Sequence, residues 1–412
     1  MAGMNPGGRS LLSLNSYHYR RGGSDVVYLE HDALFREMGW DTAVMSMHHP
    51  NNLPSPWSRY FVEELEFGQA SGFVDKIVKA SKVIYSFESQ RKLRQLLAVF
   101  PAKVAHLHCI YHHLSPSVLP VLHEAGIPIV LTAHDLKIAC PAYKMLNASG
   151  VCERCKTGSV LNVVRHRCVR DSTAASAIVA VESGLQRRLG LYRRYLGRVI
   201  APSMFYRSKL MEWGWPKEQI AYVPNYIDAT RFEPSYEPGN YLLFAGRLAL
   251  EKGIPTLVRA AHAAGVALRV AGTGPLEAEL RAMPEAANVE WLGFCSGDAL
   301  WQQVRGARAL VLPSEWYENA PMSILEAFAS GKPVVGADIG GIPEMIDADT
   351  GWIFRSGDAG ELARTLTQVA ATANSTLADM GRRARARVES EFNRQRYVEG
   401  VLSVYRGLGV QC

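Results

Sequence analysis

The stretch "SEWYENAPMSILEAFASGKPVV", residues 314–335, connects two apolar segments through a short helix signal. The segment before it is "ARALVLPS" (307–314), and its own end runs into "KPVVGAD" (332–338). A buried strand, a helix and a second buried strand form the βαβ unit of a parallel sheet. Ligands of such sheets bind at the carboxyl ends of the strands, so Glu318 is expected in a binding cleft.

The same alternation runs through both halves of the chain. The strand-like segments of the first half are "LLSLNSY" (11–17), "DTAVMSM" (41–47), "KVAHLHC" (103–109), "IPIVLTAHD" (127–135), "AIVAVE" (177–182) and "RVIAPS" (198–203). "VPNYIDATRFEPSYEPGN" (223–240) is typical of an interdomain linker, and the strand rhythm restarts after it with "YLLFAGRL" (241–248). The pattern predicts an α/β fold class with two Rossmann-like, doubly wound parallel-sheet domains facing across a cleft, an N-terminal domain 1–203 and a C-terminal domain 204–390.

Composition excludes several classes of protein. The chain has 412 residues, of which 48% are hydrophobic and 20% charged, which predicts two folded domains and argues against disorder. A formal charge of +6 is too small to indicate a nucleic-acid-binding protein. We find no signal peptide and no apolar run near the ~20 residues of a membrane span. We therefore expect a cytoplasmic location, and disulfides are unfavourable in that compartment.

Glu318 and Glu326 bracket the helix signal. The helix is expected to start near Asn319 or Ala320 with Pro321 in its first turn, so its N–H groups would face a phosphate or diphosphate in the cleft. Glu326, about two turns into the helix, would reach a hydroxyl pair such as a ribose. The alternative is two solvated surface glutamates.

Two cations follow another strand in "FAGRLALEKG" (244–253). Arg247 and Lys252 would lie at the same edge of the cleft, where they could neutralise a diphosphate without a metal ion. The alternative is that both are ordinary surface charges.

These residues carry a family resemblance. The segments "GGSD", "TAHD", "PSMF", "VPNYID", "GRLALEKG" and "GTGP", followed by Glu318-x7-Glu326 and "AFASGKPVV", occur in the same order as in the retaining nucleotide-sugar glycosyltransferases of family 4. The chain resembles that family along nearly its whole length, and the resemblance implies the GT-B architecture. Two departures are Tyr226, where the family often has glycine after Asn225, and a somewhat longer first loop.

The resemblance implies an activity and a set of partners. A sugar would move from a nucleoside diphosphate sugar, UDP- or GDP-linked, to a hydroxyl of a glycan, lipid-linked or small-molecule acceptor, with retention and without a catalytic metal. It also implies that a C-terminal helix, residues 391–412, crosses back to the N-terminal domain.

The resemblance further implies roles for individual residues. Arg247 and Lys252 would bind the diphosphate and stabilise the leaving group, Glu326 would hold the ribose, and Glu318 would contact the transferred sugar. The remaining donor-binding residues would be Gly23, Asn319, Ala320, Pro321, Met322, Gly274, Leu292 and Phe294.

His134 follows a strand at the same edge of the first sheet. In enzymes of this family the corresponding residue faces the sugar, so we expect a polar contact near the anomeric centre. The alternative is a core histidine bonded to backbone. Asp135 would orient His134 or cap the next segment.

A loop in the first domain, "HHPNNLPSPWSRYFVEELEF" (48–67), contains Trp57 and Tyr60. Both rings could stack on an acceptor sugar, or simply pack beneath the loop. "LQRRLGLYRRYLGR" (185–198) is basic and could contact the inner membrane face peripherally, although a solvated helix face explains it equally.

Four of the seven cysteines lie in one insert, residues 140–168. The Cys152-x2-Cys155 pair, with Cys140 and Cys168, predicts a structural zinc site that would stiffen the loop beside His134. The alternative is four packed or free thiols. Asp347-x-Asp349 spells a metal-binding pattern of another glycosyltransferase fold, but its setting predicts a turn.

Two rival classes of function stay open. One is a sugar-nucleotide epimerase or phosphorylase on the same architecture, which would need an acid/base carboxylate pair or a lysine-bound cofactor. The other is a non-enzymatic cysteine-metal module.

Overall fold

A computed structural model describes residues 8–65 and 82–412, and its strands form two separate parallel sheets. The first half contributes the strands β1 (Ser10–Leu14), β2 (Asp41–Met45), β3 (Val104–Leu107), β4 (Ile129–Thr132), β5 (Leu146–Asn147), β6 (Gly150–Val151), β7 (Arg198–Ala201) and β8 (Ile220–Tyr222). Six of them form a parallel sheet in the order β2-β1-β3-β4-β7-β8, and β5 pairs with β6 as a short antiparallel ladder.

The second half builds a sheet of the same kind. Its strands are β9 (Leu242–Ala245), β10 (Leu268–Ala271), β11 (Val289–Gly293), β12 (Ala309–Leu312), β13 (Val334–Ala337) and β14 (Gly351–Phe354). They lie in the order β11-β10-β9-β12-β13-β14, with Leu243 opposite Leu310 where β9 meets β12. The predicted pair of doubly wound parallel sheets is confirmed.

Helices cover the sheets and explain why central strands such as β9 and β12 are apolar along their whole length. The described helices are α1 (Gly23–Glu37), α2 (Phe87–Leu97), α3 (Val118–Glu124), α4 (Asn162–Arg165), α5 (Thr173–Leu189), α6 (Leu191–Tyr195), α7 (Met204–Glu212), α8 (Ile254–Ala264), α9 (Glu277–Arg281), α10 (Gly297–Arg305), α11 (Met322–Ala329), α12 (Ile342–Met345), α13 (Ala359–Ala371), α14 (Asn374–Glu391) and α15 (Arg394–Arg406). Strands buried on both faces lose the alternation of polar and apolar residues. Within the described ranges, no helix combines the length and apolar character needed to cross a membrane.

One strand predicted from the sequence is wrong. Residues 177–182 lie inside α5, which starts after Ser172, whose side chain accepts a hydrogen bond from the Ala175 amide. The helix ends at Gly190 in the left-handed conformation. Its buried positions recur at helical spacing, so the cap and this period outweigh the β-branched residues of the segment.

The predicted end of the first domain at residue 203 is also too early. β8 (Ile220–Tyr222) pairs in parallel with β7, so the first sheet continues to Tyr222. A local pattern of short apolar segments could not reveal this partner, because sheet membership depends on where the strand docks.

The C-terminal helix α15 lies against the first domain. Tyr397, Val401 and Tyr405 are buried with Leu11 and Val104, both on strands of the first sheet. The last helix therefore ties the end of the chain to the domain in which it begins.

Candidate active site

A cation and a carboxylate from two strand ends meet in the cleft. Glu318 follows β12 and is 6% exposed, and its Oε1 accepts hydrogen bonds from Lys252 Nζ at 2.6 Å and Ser314 Oγ at 2.7 Å. Lys252 ends a short 3-10 helix, Leu250–Lys252, after β9, and its ammonium lies 5.3 Å from the Trp316 ring centre. β9 and β12 are neighbours in the sheet, which brings their following loops together.

Arg247 supplies a second positive charge at this edge. The residue directly follows Gly246, at the end of β9, and its side chain is exposed. Among residues 8–65 and 82–412, no side chain or carbonyl forms a hydrogen bond or ion pair with its guanidinium. The group is available to an anionic ligand.

Glu326 lies on α11 and is partly buried. Burial raises the pKa of its carboxyl group to about 7. In the described part of the chain its carboxylate has no hydrogen-bond donor or cation as a partner. A buried carboxylate of this kind is suited to a ligand that brings its own donors, such as a diol.

The helix α11 starts at Met322, later than the sequence predicts, and Pro321 precedes it in an extended conformation. Asn319 contacts the first domain, and Ala320 contacts the interdomain linker. Asn319 Nδ2 donates to the Ala133 carbonyl at 2.9 Å, and the Ala320 carbonyl accepts from Asn225 Nδ2 at 3.1 Å. The start of α11 is thereby held against the first domain.

Gly23 and Gly274 occupy different surroundings. A Cβ on Gly23, at the start of α1, would lie 3.7 Å from Met322 Cγ, so the first turns of α1 and α11 approach across the cleft. A Cβ on Gly274 would lie 2.3 Å from the Leu248 carbonyl oxygen, which no side chain permits. Gly274 therefore supports the loop that carries Arg247.

Leu292 and Phe294 flank a tight turn at the end of β11. Gly293 between them has φ +68°, a left-handed value that favours glycine, and its carbonyl accepts a hydrogen bond from the Gly272 amide at 2.6 Å. Phe294 is 76% exposed. An exposed ring beside a fixed backbone turn is available to a flat ligand group.

His134 is positioned by His108, a histidine to which the sequence assigns no role. Its Nε2 lies 2.8 Å from Nδ1 of His108, which is fully buried on the strand end after β3. Burial lowers the pKa of His134 to about 4 and holds that of His108 well below its usual range, so both rings are neutral at physiological pH. The alternation in "HLH" (106–108), which directs both histidines to one face, could have revealed the pair.

Asp135 caps the following segment and does not orient His134. Its Oδ1 accepts a hydrogen bond from the Lys137 amide at 2.9 Å. Burial raises the pKa of this carboxyl group to about 6. Of the two roles predicted for Asp135, the structure supports the cap.

His31, His106 and His108 form a buried cluster whose ring nitrogens lie within 4.8 Å of one another. The nitrogens of His106 already bond the Tyr405 hydroxyl at 2.6 Å and Thr132 Oγ1 at 2.7 Å. Those of His31 bond the hydroxyls of Tyr397 and Tyr405. The nitrogens of His31 and His106 are thus satisfied, whereas Nε2 of His108 has no hydrogen-bond partner among the described residues. Most of the cluster therefore serves as a polar network of the core, which extends from α15 to His134.

Trp57 and Tyr60 pack inward. Trp57 Nε1 donates to the Thr42 carbonyl at 3.1 Å, and its ring meets Phe100 at a centroid distance of 5.3 Å. Tyr60 is 7% exposed and belongs to the hydrophobic core of the first domain. The structure supports packing over stacking on an acceptor sugar; positions 66 and 67 of this loop lie outside the described residues.

The four cysteines of the insert are neighbours without forming an assembled metal site. Burial, and then the nearby Cys155 and Cys168, raise the pKa of Cys140 to about 11. All four are free thiols. In the described ranges, the three histidines are the one group of potential ligands that meets within 4.8 Å, so no three of these sulfurs lie that close. The zinc site stays a prediction.

Asp347 and Asp349 belong to a turn. Asp347 Oδ1 accepts hydrogen bonds from the Asp349 amide at 3.0 Å and from Thr350 Oγ1 at 2.9 Å. Each aspartate also pairs with an arginine of α14, Asp347 with Arg387 and Asp349 with Arg383. The turn predicted here accounts for both carboxylates.

Comparison with known proteins adds two family matches and several relatives. The family model "Glycosyltransferase Family 4" matches residues 21–231, slightly more than half of the chain, and "Glycosyl transferases group 1" matches residues 227–387. A putative colanic acid biosynthesis glycosyltransferase, WcaL of Escherichia coli K12, is 33% identical over 225 residues, which is 50% of this chain and 55% of WcaL. The chain thus spans about half the length of the first curated relatives it matches.

Longer but weaker matches cover more of the chain. The alpha-maltose-1-phosphate synthase of Mycolicibacterium smegmatis is 28% identical over 340 residues, 74% of this chain and 79% of that protein. Among solved structures, sucrose-phosphate synthase from Thermosynechococcus elongatus superposes with a TM-score of 0.70 at 19% identity, covering 97% of this chain and 99% of that one. Anabaena Alr3699/HepE, solved with UDP and glucose, gives a TM-score of 0.65 at 16% identity, covering 97% and 98%. These structural matches confirm the GT-B fold.

Proposed function

The chain belongs to glycosyltransferase family 4, and from that premise we propose that it transfers a sugar from a nucleoside diphosphate sugar to an acceptor hydroxyl, with retention of anomeric configuration and without a catalytic metal ion. The observation that carries the proposal is the Lys252–Glu318 contact of 2.6 Å, with the guanidinium of Arg247, which has no hydrogen-bond or ion-pair partner among the described residues, at the same strand end. Two cations and a carboxylate in one cleft are suited to a charged leaving group and a polyhydroxyl substrate.

The two cations would act on the diphosphate. As the bond to the sugar breaks, negative charge develops on the leaving phosphate, and fixed positive charges stabilise it most at that point. Lys252 is held by Glu318 and Trp316, so little reorganisation is required of it. The start of α11 would add backbone N–H groups to the same phosphate.

The two glutamates would take separate parts of the donor. Glu326 has no protein partner in the described ranges and would accept hydrogen bonds from the ribose hydroxyls. Glu318 keeps a second carboxylate oxygen, Oε2, outside its contacts with Lys252 and Ser314, and this atom would accept a hydrogen bond from the transferred sugar.

The reaction would exchange one C–O bond for another on the same face of the sugar. The bond from the anomeric carbon to the phosphate oxygen breaks, and the bond to the acceptor oxygen forms. The acceptor's proton passes to an oxygen of the departing phosphate, which leaves as the nucleoside diphosphate. His134, neutral at physiological pH, would contact a sugar hydroxyl near the anomeric carbon and would not serve as a nucleophile.

The comparisons suggest which substrates to test first. The solved Anabaena relative is described with UDP-glucose, which supports a UDP-linked donor. WcaL is named for colanic acid biosynthesis, which supports an acceptor in polysaccharide assembly, either a glycan or a lipid-linked intermediate. A cytoplasmic location and peripheral contact with the inner membrane face belong to this proposal. Family membership argues against both the cysteine-metal module and the epimerase or phosphorylase.

The test is a thermal-shift panel of UDP- and GDP-linked sugars, followed by measurement of nucleoside diphosphate release with the best donor. NMR of the product would report the anomeric configuration. Glu318→Ala should mainly lower kcat, whereas Glu326→Ala should mainly raise the donor KM. Near-normal kinetics in both variants, or a product of inverted configuration, would contradict the proposal.

A further inference from the structure

The cysteine-rich insert, residues 140–168, reaches across the cleft with two side chains. Lys144 Nζ lies 2.8 Å from Glu251 Oε1, and the Tyr317 hydroxyl donates to Glu153 Oε1 at 2.9 Å. Glu251 immediately precedes Lys252, and Tyr317 immediately precedes Glu318. Each contact therefore restrains the residue that directly precedes Lys252 or Glu318, the two side chains proposed to bind the donor.

The loops after β9 and β12, which carry Lys252 and Glu318, are also joined to each other. The Glu315 amide donates to the Glu251 carbonyl at 2.9 Å, so the loop after β9 and the loop after β12 are linked close to both contacts. Lys252 then bonds Glu318 across the same gap. A restraint on either loop is consequently transmitted to the other.

The environment of these contacts makes them stronger than ordinary surface pairs. The Lys144 side chain is 28% exposed and that of Glu251 is 12% exposed. Burial opposes ionisation of Glu251, but the hydrogen bond and charge of Lys144, a backbone hydrogen bond and the charge of Arg247 together outweigh it, so the pKa of the carboxyl group is lowered. Glu153 also accepts from Lys209 Nζ at 2.9 Å, which fixes its carboxylate toward Tyr317. Partial removal from water strengthens both charge-assisted bonds.

The backbone of the insert fixes where these side chains point. Tyr143 and Met145, on either side of Lys144, have φ values of +55° and +47°, a left-handed conformation that non-glycine residues seldom adopt. The Met145 carbonyl accepts from the Cys152 amide at 2.7 Å, next to Glu153. This bond holds the two arms of the insert, at 144 and 153, in a constant relation.

We propose that Lys144 and Glu153 are positioning residues for donor binding, and that the insert is an interdomain clasp which holds Lys252 and Glu318 in place. This inference rests on the proposed function for its substrate, the nucleoside diphosphate sugar. In this role Lys144 and Glu153 do not touch the donor; they act through Lys252 and Glu318.

Two variants test the clasp, with one control variant and one rescue variant. Lys144→Met removes one cross-cleft contact, and Tyr317→Phe removes the other while keeping the ring and leaving Glu153 paired with Lys209. The control is Lys156→Met, because Lys156 lies in the same insert and pairs at 3.2 Å with Glu212 of the first domain, without crossing the cleft. Lys144→Arg preserves the charge and should restore most of what Lys144→Met loses.

Hydrogen exchange of the donor-free protein is the first measurement. Peptides covering 247–253 and 314–320 should exchange faster in Lys144→Met and Tyr317→Phe than in the wild type. Their exchange rates in Lys156→Met should equal those of the wild type. Equal exchange in all four proteins would overturn the clasp. This readout needs no activity, so it holds even if the protein transfers no sugar and the proposed function fails.

Steady-state kinetics with the best UDP-linked donor is the second measurement. The clasp predicts a donor KM at least tenfold higher in Lys144→Met, recovery in Lys144→Arg, and less than a twofold change in Lys156→Met. Wild-type KM in both cross-cleft variants would also overturn it. If the wild type turns over no donor in the panel, the proposed function fails while the exchange result stands by itself.

Discussion

The carboxyl group of Glu326 is expected to make the stability of the free protein depend on pH. Burial raises its pKa from 4.5 to about 7, and in the described part of the chain no cation or hydrogen-bond donor offsets this. The difference between these pKa values corresponds to about 3 kcal/mol, the cost of keeping the ionised group in the folded protein.

The sign follows from comparing the folded and unfolded states. Below about pH 4.5 the carboxyl group is protonated in both the folded and the unfolded state, so its ionisation does not change the free energy of unfolding. Between about pH 4.5 and 7 the unfolded chain ionises first, so the contribution of this group to stability is lost as pH rises. Glu326→Gln cannot ionise, and its free energy of unfolding at pH 8 should exceed that of the wild type by about 1–3 kcal/mol.

Urea unfolding at pH 5 and pH 8 measures this difference. Glu279→Gln, an exposed glutamate on α9, is the matched control and should behave like the wild type at both pH values. We expect the advantage of Glu326→Gln to be small at pH 5 and largest at pH 8. An equal difference at both pH values would refute the assignment of a raised pKa.

Donor binding should reverse the effect of burial. A ribose diol that donates to the carboxylate favours its ionised form, so binding at pH 6.5 should release a proton. Calorimetry in two buffers with different enthalpies of ionisation detects that proton. Glu326→Gln should bind the nucleotide more weakly and release none. Tight binding by the wild type without proton release would show that Glu326 does not contact the ribose.

The remaining predictions use single measurements. Arg247→Ala and Lys252→Ala should each lower transition-state stabilisation by about 2–4 kcal/mol, read from kcat/KM, and smaller losses in both would place the diphosphate elsewhere. Turnover should survive a chelator, whereas loss that magnesium or manganese restores would contradict a metal-independent reaction. Elemental analysis should find about one zinc per chain, abolished by Cys152→Ser with Cys155→Ser; a metal-free protein of normal stability with four titratable thiols would refute the site. Tyr405→Phe should lower the free energy of unfolding by about 1–3 kcal/mol, because two buried histidines lose its hydroxyl, and an unchanged urea midpoint would contradict this.

Local patterns in the sequence determined the fold class and most elements. Strands such as β9 and β12 are continuous apolar runs, and a run of that kind is recognisable without knowledge of its neighbours. The same holds for Glu318, Arg247 and Lys252, because each follows a strand and strand ends of parallel sheets share one edge.

Docking decided what these patterns could not. Residues 177–182 form part of a helix, one face of which is buried, and Tyr222 belongs to the first sheet because β8 pairs with β7. Trp57 points inward because its ring packs on Phe100 and its Nε1 donates to a backbone carbonyl. None of these neighbours is adjacent in sequence.

The contacts that organise the candidate site join residues far apart in the chain. His108 meets His134 across neighbouring strands, and Lys144 meets Glu251 across the two domains. The sequence by itself determined which chemical groups stand at the strand ends, since that depends on local periodicity. Only the tertiary structure decided which of them touch, because hydrogen bonds and ion pairs form over a few ångströms and those distances are set by how sheets, helices and domains pack.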